Sequence, residues 1–311
     1  MKVDKQRLLE IFHHSLLPFL IIFRHFRTFV MVGFENIEEK LEDAVLLTAP
    51  HLTGKTVMVT GAGGLIGSEI SRQLIQFQPA RILLLGHGPQ SLYSIEDQLQ
   101  NLVEKHTEII PIVMNMQDKK RLFQTVRLHK PDIIYHTAGH QQIDFTEEEE
   151  VDALYANVFG TNNIAEAANR SRSSTFVLVS SEQAAKPRNL TEAAKRLVEM
   201  IVESISLTSQ TQFTIIRLPT NMVALHPSRK PYRLFEEPAP VAQAAQNVLQ
   251  AGRMKIAPDS GNLFRQKDKA SLSDLQQQVG LSQIELARIL KHLKTASEEK
   301  ARELVISVIK Q

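Results

Sequence analysis

The chain reads as an α/β protein organised on a doubly wound parallel sheet. Short apolar runs alternate with amphipathic helical patterns from Lys55 to Arg217. The runs are rich in Val and Ile and mostly apolar, as strands covered on both faces are. A glycine-rich stretch follows directly on the first run, where a strand must give way to a helix.

Taken in order, strands are predicted at Thr56–Thr60, Arg81–Leu85, Ile109–Met114, Asp132–His136, Thr175–Ser180 and Phe213–Arg217. Helical patterns lie between them at Ile66–Phe77, Ser91–Lys105, Lys119–Leu128, Val151–Asn169 and Thr191–Ser206. The acidic run Glu147–Glu150 marks a helix start, where negative charge meets the positive end of the helix. Beyond Arg217 the pattern thins. Met222–Pro240 holds four prolines (227, 231, 238 and 240) and reads as loop, Val241–Ala251 as a helix, and Ser271–Gln311 as two or three short helices. The expected organisation is a helical segment over 1–50, a dinucleotide-fold domain over 51–255 and a small helical appendage over 256–311.

Composition excludes several classes. Across 311 residues, 43% are hydrophobic and 23% charged, ordinary values for a folded chain. With no cysteine there is neither a thiol nucleophile nor a thiolate metal site, and the chain suits a reducing, cytoplasmic setting. Basic residues number 36 against 34 acids, too balanced to argue for nucleic acid. Residues 1–34 carry five Lys/Arg, two acids and three His around the run Leu16–Phe23, which Arg24 and Arg27 cut short of a spanning helix. Two readings of this segment stand beside a disordered start. It is an amphipathic helix docked on its own domain or a partner protein, or one lying on a membrane surface.

Most of the information lies in Gly61-Ala62-Gly63-Gly64-Leu65-Ile66-Gly67. Set between a first strand and a helix, such a turn lets a pyrophosphate approach the backbone, and the helix N-terminus receives its charge. This Rossmann-like placement points to a dinucleotide held by Gly61, Gly64, Leu65, Ile66 and Gly67. The alternative is a glycine turn kept only for packing. The second strand ends Leu85-Gly86-His87-Gly88, without the acid that would hold the ribose of NAD, so NAD and NADP both stand.

With these residues in view, the sequence resembles a known family. Thr60–Glu69, Leu83–Tyr93 and Asn157-Val158-Phe159-Gly160-Thr161 are similar to the extended short-chain dehydrogenase/reductases of polysaccharide biosynthesis. More narrowly they resemble the nucleotide-sugar 4,6-dehydratases and epimerases of the CapD type. The resemblance implies NAD or NADP as a retained hydride carrier, a UDP-sugar substrate, and a homo-oligomer or partner protein. It implies further cofactor contacts at Thr137, Ala138, Gly139, Asn157 and Lys195, and catalytic roles for Ser181 and Lys195.

The same resemblance marks departures. The family places a Thr-Asp-Lys segment after the fifth strand; here the residues are Ser181-Glu182-Gln183. Its Tyr-x-x-x-Lys element becomes Thr191-Glu192-Ala193-Ala194-Lys195. The basic block after the fourth strand reads His140-Gln141-Gln142, and the Asp after the third strand becomes Asn115. The family's long nucleotide-sugar lobe is reduced to Met222–Pro240, with Arg229, Lys230 and Arg233 as its cations. A glutamine amide does not titrate near neutrality and cannot act as base. The expectation is therefore a NAD(P)-binding relative with weakened or lost catalysis, against an active dehydratase or epimerase. A third reading takes Ser271–Ser282 and Gln283–Leu293, with Arg288, Lys291 and Lys294, as a helix-turn-helix for nucleic acid. The bland reading of that region is a C-terminal helical appendage, and no nucleic acid is expected.

Overall fold

The computed structural model describes residues 51–103, 107–137, 147–219, 244–249 and 282–309, all within the unit Ala49–Gln311. Six strands form one sheet: β1 Thr56–Thr60, β2 Arg81–Gly86, β3 Glu108–Val113, β4 Ile133–His136, β5 Thr175–Ser181 and β6 Gln212–Leu218. Every pairing is parallel, and the spatial order is β3-β2-β1-β4-β5-β6. The chain reverses direction across the sheet between β1 and β4. Their carboxyl ends therefore open the crevice where such sheets take ligands.

The helices labelled here are α1 Leu65–Leu74, α2 Pro89–Gln100, α3 Lys119–His129, α4 Glu147–Ser171, α5 Leu190–Ser206, α6 Gln283–Thr295 and α7 Glu298–Ile309, and residues 244–249 are helical as well. Their starts follow local chemistry. Asp118 Oδ1 accepts from the Arg121 N–H at 3.0 Å, and Asn189 Oδ1 from the Glu192 N–H at 2.8 Å. Ser282 and Glu285 close a reciprocal capping box on α6. Two helices depart from the periodicity. The helix expected to reach Phe77 tightens into a 3-10 turn at Ile75–Phe77. The one expected to reach Lys105 ends at Gln100, where the Asn101 side chain donates to the Asp97 carbonyl at 2.8 Å. Among the described residues α4 runs from Glu147, so the acidic run lies within it.

Alternation along the strands divides the core into two layers. Val57 and Val59 of β1, Leu84 of β2, Tyr135 of β4 and Val177 of β5 pack with Ile70 and Leu74 of α1, Leu92 and Ile95 of α2, and Val248. Met58, Leu83, Ile134, Phe176 and Leu178 face the other way, onto α3, α4 and α5. Leu286, Ile289 and Leu293 of α6 and Ala301, Val305 and Val308 of α7 join this second layer. Arg302 of α7 pairs with Glu150 of α4 at 2.8 Å. No described helix is long and apolar enough to cross a membrane.

Candidate nucleotide site

The glycine turn leaves β1 at the sheet's reversal point. Gly61 has φ +70°, a conformation an L side chain rarely adopts. Its N–H and that of Ala62 both donate to the Leu85 carbonyl, at 2.8 and 3.2 Å, tying the turn to the end of β2. The Gly64 N–H donates back to the Gly61 carbonyl at 2.9 Å. Gly67 is where the turn and the helix meet. A Cβ there would run into the Gly61 carbonyl and lie 2.8 Å from Thr137 Oγ1.

Gly64 is the N-cap of α1, is exposed, and has no side chain to cap the first helical N–H groups. That end of α1 therefore presents backbone donors and positive dipole to the crevice. Ile66 is buried in the core and Leu65 packs against it, so both offer a ligand only their backbone. Thr137 Oγ1 donates to the Thr60 carbonyl at 2.8 Å and joins the end of β4 to that of β1. Ala138 and Gly139 lie outside the described residues, as do His140–Gln142 and the 222–240 segment.

Beneath the turn runs a buried hydrogen-bonded strut that the sequence reading passed over. His136 is fully buried, with Nδ1 2.6 Å from Thr60 Oγ1 and Nε2 2.8 Å from Thr161 Oγ1. Burial pushes its imidazole down to about 3, so the ring is neutral. One ring nitrogen donates and the other accepts, with the threonine hydroxyls turning to match. The strut connects β1, β4 and α4. Asn157, buried on α4, sits one helical turn before Thr161. The only signal in the sequence is a histidine closing an apolar strand.

On the other side of the crevice, β5 ends at Ser181, which is buried. Lys195 of α5 reaches across and donates to Ser181 Oγ at 3.3 Å and to Gln183 Oε1 at 3.2 Å. Burial lowers the Lys195 ammonium from the usual lysine range, opposed by the nearby Glu192 carboxylate. Thr191 occupies the position one helical turn before Lys195, and Glu182 is exposed. Ser181, Gln183 and Lys195 are thus brought together at one end of the sheet. Asn115 is exposed, and its Oδ1 accepts from the Gln117 N–H at 2.9 Å, which shapes its own loop.

A second group missed from sequence fastens α5 to β6. Glu199 and Glu203 are buried, the first accepting from Arg217 Nε and Nη2 at 2.9 and 2.7 Å. Arg196 Nη1 bridges both carboxylates at 3.1 and 2.9 Å. Burial raises the Glu203 carboxyl, with Arg196 acting against it.

Of the helix-turn-helix pattern, Ser271–Leu281 lies outside the described residues. The second helix, α6, turns its apolar face into the core and sets Lys294 Nζ 5.6 Å over the Phe159 ring, while Arg288 and Lys291 are exposed.

A 3-2-1-4-5-6 parallel sheet with a glycine turn at the reversal is the doubly wound arrangement of dinucleotide-binding folds. A crystal structure of a short chain dehydrogenase from Mycobacterium smegmatis superposes with TM-score 0.51 at 18% identity, covering 66% of this chain and 88% of that one. The family described as "Polysaccharide biosynthesis protein" matches residues 57–224, and the chain belongs to it, as a CapD-type extended member. It is 42% identical over 167 residues to the probable polysaccharide biosynthesis protein EpsC of Bacillus subtilis, covering 54% of this chain and 28% of EpsC. It is 38% identical over 180 residues to the capsular polysaccharide biosynthesis protein CapD of Staphylococcus aureus, covering 58% and 30%. The chain thus spans under a third of the length of either relative.

Proposed function

We propose that this chain binds NAD(P) on the Gly61–Gly67 turn and serves UDP-sugar metabolism in surface polysaccharide synthesis as a member whose dehydratase chemistry is weakened or lost. The residues suit the cofactor. The uncapped N–H groups at the start of α1 would hold the pyrophosphate, and the half-buried Lys195 would hold the nicotinamide ribose. Bound there, NAD(P) supplies a hydride acceptor for the sugar C4. What remains is acid–base work, and here the chain's own residues are short of means.

The observation that carries this reading is the pairing of Lys195 with Gln183. Where the family sets a titratable lysine, Gln183 spends its carbonyl oxygen accepting from Lys195 and has no basic lone pair for the C5 proton. Ser181 can hold a substrate hydroxyl but needs a base to lose its proton. Thr191, in the tyrosine position, has no proton to exchange near neutrality. Glu182 keeps a carboxylate at the surface, and an active dehydratase of this sequence would have to route both proton transfers through it.

The test is to purify the full chain, denature it, and identify released nucleotide by mass, alongside thermal unfolding with each of NAD, NADH, NADP and NADPH. Released dinucleotide or a thermal shift supports the reading; neither released dinucleotide nor a shift with any of the four rejects it.

A further inference from the structure

We infer that the amino edge of the sheet, where the strands start, docks on a bilayer surface carrying anionic headgroups. Because every strand pairing is parallel, each helix that leads into a strand ends at this one edge. The Asp132 N–H donates to the Thr56 carbonyl at 2.8 Å, and Arg81 Nη2 donates to the His129 carbonyl at 3.0 Å. These bonds tie the end of α3 to the starts of β1 and β2. Gln283 Nε2 donates to Thr208 Oγ1 at 2.8 Å, so α6 begins at the same edge, beside the end of α5.

Apolar side chains stand out at this edge. Leu128 is 75% exposed, Ile284 68% and Leu102 56%, the three most exposed large hydrophobic side chains among the described residues. Leu128 lies in the last turn of α3, Leu102 just beyond α2 and Ile284 at the start of α6. Cations share the edge: Arg127, Lys130 and Arg172 are exposed. Lys130 and Arg172 follow α3 and α4 at φ +47° and +57°, left-handed positions where glycine is the ordinary residue. A glycine would remove the strain, yet the chain keeps a long cationic side chain at both. The acids nearby are engaged. Asp132 pairs with Lys55 at 3.8 Å, Glu166 with Lys119 at 2.9 Å and with Arg170 at 3.8 Å, and Glu285 closes the capping box. Glu108, on the outermost strand, is exposed.

Standing on three different elements, the apolar side chains suit separate insertion into a headgroup layer, while the cations meet lipid phosphates. Thr56 opens β1 at this edge, so the preceding chain is attached here. Its residues 1–34, outside the described residues, carry the basic and apolar run that suits a membrane surface. The nucleotide crevice opens at the far end of the five-residue β1, about 16 Å away at the rise of a strand, so docking leaves it free.

Flotation of the full chain with vesicles of phosphatidylcholine, alone or mixed with phosphatidylglycerol, tests this. Binding is expected only to the anionic vesicles and should fall as salt rises. Each cation near such a surface is worth about fivefold in affinity, so replacing Arg127, Lys130 and Arg172 together with Gln should lose on the order of a hundredfold. Leu128→Ser should lose about tenfold. Replacing Lys130 and Arg172 with Gly separates docking from folding. Relief of two left-handed positions should raise the melting temperature while vesicle binding falls. Failure of the wild type to bind anionic vesicles, equal binding to neutral ones, or undiminished binding by the triple variant would overturn the inference. So would self-association without vesicle binding, lost in the triple variant, which would assign the edge to a second copy of the chain. None of these residues belongs to the nucleotide crevice, so dinucleotide release should be the same in every variant.

Discussion

Lys195 Nζ donates to Ser181 Oγ across 3.3 Å, joining the middle of α5 to the end of β5. The contact is set by one helical turn of spacing from Thr191 and by the N-cap at Asn189, which fixes where α5 begins. It brings together the two residues that the family resemblance assigns to chemistry. It also exposes the shortage around them, because the second acceptor on Lys195 is an amide.

Replacing Lys195 with Met should weaken NAD(P) binding by about tenfold, as expected for a hydrogen bond from a charged group. The fold should survive, since Lys195 is half-buried rather than enclosed. Burial lowers its pKa, so binding in the wild type should weaken as pH rises toward the usual lysine range, before an exposed lysine would titrate. Titration calorimetry across that range checks this; the Met variant should lose the dependence.

Gly64 and Gly67 should fail in different ways. A Cβ at Gly67 meets the Gly61 carbonyl and Thr137, so Gly67→Ala should destabilise the fold by about 1–3 kcal/mol, as an overpacked core position does. At Gly64 the nearest neighbour of a Cβ is the Gly61 carbonyl oxygen, at 3.2 Å. Gly64→Leu should keep most of the stability and abolish the thermal shift with NAD(P). Urea unfolding with and without nucleotide separates the two outcomes.

His136 should make stability fall in acid. The unfolded imidazole takes a proton near its ordinary 6.5, while the folded one takes it only near 3. Between those values the unfolded state binds more protons, so stability declines as pH drops through 6.5, by up to about 1.4 kcal/mol per unit. Above 6.5 this group contributes no slope. His136→Phe should remove that slope and cost about 1–3 kcal/mol near neutrality, since Thr60 and Thr161 lose their partner. Urea titrations from pH 4 to 8 give both quantities.

Arg217→Met should be more damaging than a surface charge change. It removes the two-pronged partner of the buried Glu199 and leaves it Arg196 at 3.1 Å, a loss of about 1.5–3 kcal/mol, the scale of hydrogen bonds to a charged group. Because α5 also carries Lys195, partial rescue by Arg217→Lys should restore stability before it restores nucleotide affinity. Lysine returns the charge without the two-pronged hydrogen bonding.

The sheet was legible because its central strands β1, β2 and β4 are buried on both faces, which leaves short continuous apolar runs such as Val57–Val59 and Leu83–Leu85. The glycine turn was legible because its spacing is dictated by backbone geometry at Gly61 and Gly67. Helix ends drifted where a side chain decides them, as Asn101 does for α2. The His136 strut and the Arg217–Glu199–Glu203 group were not legible. Each assembles residues far apart in the chain, and no local pattern distinguishes Thr161 or Glu203 from an ordinary helix residue. That Gln183 stands where the family sets a lysine could be read only through the family resemblance. That its amide sits against Lys195 is a fact of the fold.

The proposed function is that of a chain that keeps the dinucleotide cradle and lacks the base. Its most direct test follows UDP-N-acetylglucosamine by NMR in D2O with the full chain and saturating cofactor, watching deuterium enter C5 and product form. A positioned base typically contributes about 10²–10⁴ in rate, so turnover far below about 1 per second is expected, alongside intact NAD(P) binding. Exchange and product at about 1 per second or faster would contradict it and make Glu182 the residue that carries the proton.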